Sequence, residues 1–358
     1  MNLDAKKGGQ RGVHREPRRK AHVPTHEIRQ QINLRLEELH RRHLPLHDDR
    51  IVNYYTSGLG YDKPARNAEA ERKPFAICLA TTDGEVFQAG DHDQLFALQS
   101  ISKVFVHGLA LEACGRDQVL ERVGGEPSGD AFNSIVFDEL NDRPHNPMVN
   151  AGALATTALV EGAYTAGQAL ERILGALRRY AGNRGLEVDD GTFEAEMRSA
   201  DRNRATAYLM RSDGMLEGDV EATLALYLRQ CSVRVTCRDL AVMAATLANG
   251  GANPITGERA LARRHVRDVL SVMHTCGMYD FAGQWAYRVG IPAKSGVSGG
   301  IMAVVPGKLG IGVFSPGLDA YGNSVRGTAV CEEISERLGL HVFADNDEDA
   351  LLGSARPV

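Results

Sequence analysis

The chain has 358 residues, 43% of them hydrophobic and 24% charged, with a formal net charge of −5. This length buries a large core and lies at the upper edge of what one domain holds. The composition excludes a disordered or fibrous chain, and the negative balance argues against a globally basic nucleic-acid binder.

Residues 1–24 carry seven Lys/Arg against two acids and read as a disordered basic head, with an electrostatic arm as the rival reading. Thr25 reads as an N-cap, and Ile28, Ile32, Leu36 and Leu39 form one stripe of an amphipathic helix over 27–43, inside a segment 25–49. Residues 58–74 are rich in Gly, Pro and charge and read as a surface loop. Phe75–Ala80 reads as a strand, Asp83-Gly84 as a hairpin turn and Glu85–Ala89 as the returning strand.

From 98 to 290 the pattern is mostly helical: Lys103–Ala113, Ala151–Glu161, Gln168–Tyr180, Asp219–Gln230 and Arg238–Ala248, the last closed by an Asn249-Gly250-Gly251 turn. Near 292 the texture changes to short apolar runs between Gly/Pro turns, a β-meander. A helix returns over 324–339, and 341–358 reads as a loose tail. Strands at both ends with helices between them predict an α+β fold. One antiparallel sheet is assembled from both chain ends, flanked by helices, beside an all-helical lobe.

No apolar run reaches the roughly 18 residues of a membrane span. The N-terminus lacks the apolar core of a secretion signal, and the six cysteines form no CxxC pair. A cytoplasmic protein with free thiols is therefore expected. His274 and Cys276 alone make a poor metal site, and no phosphate loop or GxGxxG follows a strand. No cofactor is expected.

The chemistry concentrates in FALQSISK. Ser100 and Lys103 lie three residues apart, on one face of a first helical turn. A desolvated lysine that has lost its proton activates a serine, and the helix start adds N–H groups suited to an oxyanion. A capping serine with a surface lysine gives the same spacing. Downstream, Lys294-Ser295-Gly296 opens the glycine-rich strands, as the partner box of Ser-x-x-Lys does in the penicillin-binding and class A β-lactamase group; no Ser-Asp-Asn element is evident.

Together with EPSGDAFN, RPHNPMVNAGA, SADRNRATAYLM, RQCSVRVTCRDLAVMAATLANGG, ITGERAL and GMYDF, these motifs resemble the serine-dependent glutaminase family over roughly 50–340. That family is similar in fold to the β-lactamases. The resemblance implies a catalytic domain over 50–340 that hydrolyses L-glutamine to L-glutamate and ammonia. It implies Ser100 as nucleophile and Lys103 as its activator. Asn150, Glu196 and Asn203 would hold the α-carboxylate and α-ammonium, and Tyr227 and Tyr279 would serve at the reacting end. Val297 would offer a backbone N–H to the oxyanion beside that of Ser100, with Lys294 in support. Tyr55 would match an early family tyrosine, with Tyr54 as rival, since the chain reads Tyr55-Thr56-Ser57 where the family has Tyr-Ile-Pro. A homo-oligomer, dimer or tetramer, is also implied.

Taken singly, these residues have plainer roles. Tyr227 reads as a core tyrosine, Asn150 as an N-cap, Glu196 as part of a solvated helix face and Asn203 as a turn residue. Two rival functions remain at this stage: a penicillin-interactive hydrolase, and a sensor that kept the fold without turnover. Nucleic acid as a partner is not expected.

Overall fold

The structure is a computed structural model and describes residues 26–46, 73–129, 134–138, 140–164 and 167–344. The basic head, Thr25, Tyr54, Tyr55, most of loop 58–74 and the tail beyond 344 lie outside the described residues. In chain order the elements are α1 (His26–His43), β1 (Ala76–Thr81), β2 (Val86–Gly90), β3 (Phe96–Ala97), α2 (Ser102–Cys114), α3 (Arg116–Arg122), α4 (Asn150–Ala163), α5 (Gln168–Ala181), α6 (Asp190–Arg198) and α7 (Asp201–Ser212). There follow α8 (Val220–Cys231), β4 (Arg234–Val235), α9 (Cys237–Ala248), α10 (Arg263–Cys276), α11 (Ala282–Arg288), β5 (Ala293–Ser295), β6 (Gly300–Val305), β7 (Leu309–Phe314) and α12 (Val325–Leu338).

The sheet runs β2-β1-β7-β6-β5 and is antiparallel throughout, so the two ends of the chain meet at the β1–β7 pair. Strands β1, β5, β6 and β7 are buried on both faces, and β2, at the edge, on one. Successive side chains point to opposite sides of a strand. Thus Ala76, Cys78, Ala80, Met302 and Val304 join the larger core with the helical lobe. Ile77, Leu79, Ile301, Ala303, Ile311 and Val313 join a second core with α1, α11 and α12. The α+β expectation holds. The N-terminal helix is part of this body: Leu36 and Leu39 pack into the second core. Ile28, expected on the same stripe, is exposed, because the first turns of α1 lie outside that core. Among the described residues, no helix is long and apolar enough to cross a membrane.

The α9 helix carries the sheet's inner face. Every one of its residues but Arg238 is buried, and Thr236 and Asp239 close a capping box at its start. It lies directly on β7 because β7 has no side chain at two points. A Cβ on Gly310 would sit 2.2 Å from Ala245 N, and one on Gly312 would sit 2.7 Å from Cys237 O. Replacing Gly310 by valine should therefore cost at least about 2 kcal/mol through overpacking. Urea unfolding will read this as a lowered midpoint, and an unchanged midpoint would contradict the close approach.

Boundaries differ slightly from the expectations. The first strand begins one residue late, and its partner spans Val86–Gly90. The Asp83-Gly84 turn is confirmed, with Gly84 at a φ of 94°. Asp219 and Ser324 are caps rather than helical residues. The short β3–β4 pair and helices α3, α6, α7, α10 and α11 are additions. The start of the tail is attached, since Val342 N donates to Gly290 O at 3.0 Å.

Candidate active site

The β3–β4 pair and a bond from Leu98 N to Val233 O (2.8 Å) fix the approach to Ser100. Gln99 then takes a φ of 52°, a left-handed backbone that costs a non-glycine residue about 1–3 kcal/mol and clusters at functional turns. A 3-10 turn, Gln99–Ile101, carries Ser100 into α2. Ser100 is buried, and Lys103 is fully so.

The far strand comes to this turn. A Cβ on Gly296 would lie 3.1 Å from Leu98 O and 3.3 Å from Ile101 Cγ1. The end of the Lys-Ser-Gly segment thus abuts the Ser100 turn, with little room for a side chain at Gly296. The loop beyond is closed by Gly296 N to Gly300 O and Gly299 N to Gly296 O, both 2.9 Å, with Val297 half-buried between them.

Lys103 is a lysine whose charged form burial disfavours. Burial lowers its pKa to about 8, against a smaller opposing effect of Cys231. Its Nζ donates to Met148 O at 3.1 Å and Asn150 Oδ1 at 2.7 Å. A neutral amine has two N–H groups and one lone pair. Both N–H groups are engaged, which leaves the lone pair to take a proton.

Asn150 extends the network. Its Nδ2 donates to Asn203 Oδ1 at 2.9 Å, and Tyr227 Oη donates to its Oδ1 at 3.4 Å. The N-cap of α4 is Val149, so Asn150 is not a cap, and Asn203 lies in α7 rather than in a turn. Glu196 is half-buried and accepts from Gln99 Nε2 at 3.2 Å. Burial raises its pKa, with that bond opposing. Tyr227 is buried, and its pKa is raised mainly by desolvation. Tyr279 has a φ of 55°, and its Oη donates to Ser295 O at 3.0 Å.

Two residues escaped the sequence reading. Gln99 holds Glu196, and its one signal was its position before the serine. Cys231 Sγ lies 3.7 Å from Ser102 Oγ and acts electrostatically on Lys103; its one signal was its place in the RQCSVRV run. A cavity of about 260 Å³ opens beside Tyr279, with Met148, Gly129 and Cys276 in its wall.

The protein-family comparison finds a model described as Glutaminase that matches residues 65–343. The chain belongs to the glutaminase family. It is 55% identical over 308 residues to a glutaminase of Trichormus variabilis, covering 86% of this chain and 89% of that one. It is 47% identical to glutaminase 2 of Clostridium perfringens over 277 residues, 77% of this chain and 90% of that one. Among solved structures, Mglu in its glutamate form superposes with a TM-score of 0.79 at 42% identity, covering 88% of this chain and 70% of that one. The probable glutaminase ybaS gives 0.79 at 38% identity, covering 88% of this chain and 98% of that one. These likenesses favour the glutaminase reading over the penicillin-interactive rival.

Proposed function

We propose that Ser100 carries the acyl group while this glutaminase hydrolyses L-glutamine to L-glutamate and ammonia. The supporting observation is the buried Lys103, its two N–H groups engaged, three residues from a serine on a turn that Gly296 abuts. Lys103 Nζ takes the Ser100 proton as Oγ bonds to the amide carbon. The backbone N–H groups of Ser100 and Val297 receive the oxyanion. The C–N bond then breaks, and ammonia leaves with the Ser100 proton, passed on by Lys103 directly or relayed through Tyr279, so that Lys103 is again neutral. The same amine takes a proton from water as it attacks the glutamyl ester and hands it to Ser100 Oγ as glutamate leaves.

The two ends of the amino acid need opposite partners. Glu196 supplies a carboxylate for the ammonium, and the Asn150 and Asn203 amides supply donors for the carboxylate. Tyr227 completes the enclosure, with Lys294 behind Tyr279; Tyr55, or its rival Tyr54, is a further candidate that rests on the family resemblance alone. The cytoplasmic location belongs to the same proposal, supported by six unpaired cysteines. So does the homo-oligomer, which analytical ultracentrifugation will count.

Acid quench during turnover, followed by peptide mapping, should find the glutamyl adduct on Ser100; an adduct on another residue overturns the assignment. Glu196→Gln removes the charge that meets the ammonium. Its KM for glutamine should rise about 10- to 100-fold, the loss of one charged hydrogen bond, with a smaller change in kcat. An unchanged KM would remove Glu196 from the ammonium site.

A further inference from the structure

Lys294 is a fully buried lysine that the steps above do not use. It sits in the middle of β5, opposite Met302, with no exposed surface. Among the described residues no carboxylate lies within ion-pair distance of it. Its Nζ donates to Gly277 O at 2.9 Å and to Ser295 O at 2.7 Å, and lies 4.2 Å from the centroid of the Tyr279 ring. Burial, and then the charge of Lys103, hold its pKa well below the ordinary lysine range. A lysine kept in such a place costs stability, so its contacts need a reason beyond packing.

Those contacts converge on one side chain. Gly277 lies two residues before Tyr279. Ser295 O is the acceptor of the Tyr279 hydroxyl, at 3.0 Å. Tyr279 itself is held in a left-handed backbone that an L side chain resists. The junction beneath it is already tight: a Cβ on Gly277 would lie 1.8 Å from Ala293 O. One amine therefore fixes the backbone leading to Tyr279, the acceptor of its hydroxyl and one face of its ring.

We propose that Lys294 is a positioning residue for the hydrolysis, clamping Tyr279 by bridging Gly277 O and Ser295 O across the face of its ring. This rests on the serine mechanism above. Lys294 acts through Tyr279 and does not touch the amino acid. Loss of the clamp lets the hydroxyl drift, and a drift of about 1 Å at a reacting group costs up to ~10²-fold in rate. Recognition of the ammonium and carboxylate by Glu196, Asn150 and Asn203 is untouched.

The test is a double-mutant cycle on Lys294→Met and Tyr279→Phe, read as kcat and KM for glutamine on the purified full chain. Lys294→Met should lower kcat about 10- to 100-fold with KM within about threefold of wild type. In the Tyr279→Phe background the same change should cost less than about twofold, because the group it positions is gone. A merely structural role gives losses that multiply, and that result overturns the proposal. So does a Lys294→Met enzyme with unchanged kcat. If Lys294→Met does not fold, Lys294→Gln, whose amide still donates to a carbonyl, takes its place in the same cycle. Ser100→Ala is assayed in parallel. Turnover near the wild-type rate there brings down the serine reading, whereas a dead Ser100→Ala beside a fully active Lys294→Met brings down this inference alone.

Discussion

Replacing Ser100 by alanine is expected to cut ammonia release from glutamine by at least about 10⁴-fold, the scale seen when a covalent nucleophile is removed. The change deletes one oxygen from a buried turn and adds no volume. Far-ultraviolet circular dichroism and the unfolding midpoint should therefore stay near those of wild type. Glutamine should still bind, because Glu196, Asn150 and Asn203 remain. A Ser100→Ala enzyme that turns over at the wild-type rate would remove the ester intermediate and return the choice to direct attack by water. Ammonia release from glutamine and asparagine, measured side by side, also reports how tightly the site gauges chain length.

The second large effect concerns Lys103. Its pKa is lowered to about 8 by burial, and an amine can act as a base only when neutral. The rate constant kcat/KM should therefore rise about tenfold per pH unit below that value and level off above it. Lys103→Arg keeps a charge that does not titrate in this range, so it should lose about 10³-fold or more and show no such rise. A flat wild-type profile between pH 6 and pH 9 would contradict the base assignment. The same shift has a signature in stability. Because the folded pKa lies below the unfolded value near 10.5, the unfolded chain binds more protons between about 8 and 10.5. Stability from this group thus grows as pH rises through that window and is lost as pH falls through about 8. Lys103→Met, inactive but uncharged, should escape a penalty of up to about 3 kcal/mol at neutral pH. Thermal melts at pH 7 and pH 10 will show whether its advantage shrinks in base.

The serine, the lysine and the strand that faces them were legible because each lies in a short run with its own texture. Ser-x-x-Lys opens a helix, and Lys-Ser-Gly opens a glycine-rich meander. Strands at both ends with helices between them leave an antiparallel sheet as the compact solution. Asn150, Glu196, Asn203 and Tyr227 were legible only through resemblance. Their meeting is made by the packing of α4, α6, α7 and α8, and no local spacing encodes it. Taken alone, Asn150 looks like a cap; in the fold Val149 takes that place and the Asn150 amide turns to Lys103. The left-handed backbones at Gln99 and Tyr279 are imposed by tertiary contacts against residue preference, so propensity points away from them. The α10 helix lies within the stretch expected to be mostly helical but was not singled out, because its buried stripe, His265, Val266, Val269 and Met273, starts on a histidine and is flanked by charge.

The pairing of Thr81 with Leu309 has a consequence for biosynthesis. The β1–β2 hairpin leaves the ribosome early, with the mostly apolar edge of β1 and no strand to cover it. At about 5–20 residues per second, the covering strand follows only after roughly 10–50 s. Such a delay exposes an aggregation-prone edge, and nascent-chain pull-downs should recover chaperones on intermediates that end before residue 309. Lys294 and Val297 are translated at the same late stage. A ribosome that stalls shortly before them releases a protein nearly complete in mass, with its serine in place and nothing opposite to work with.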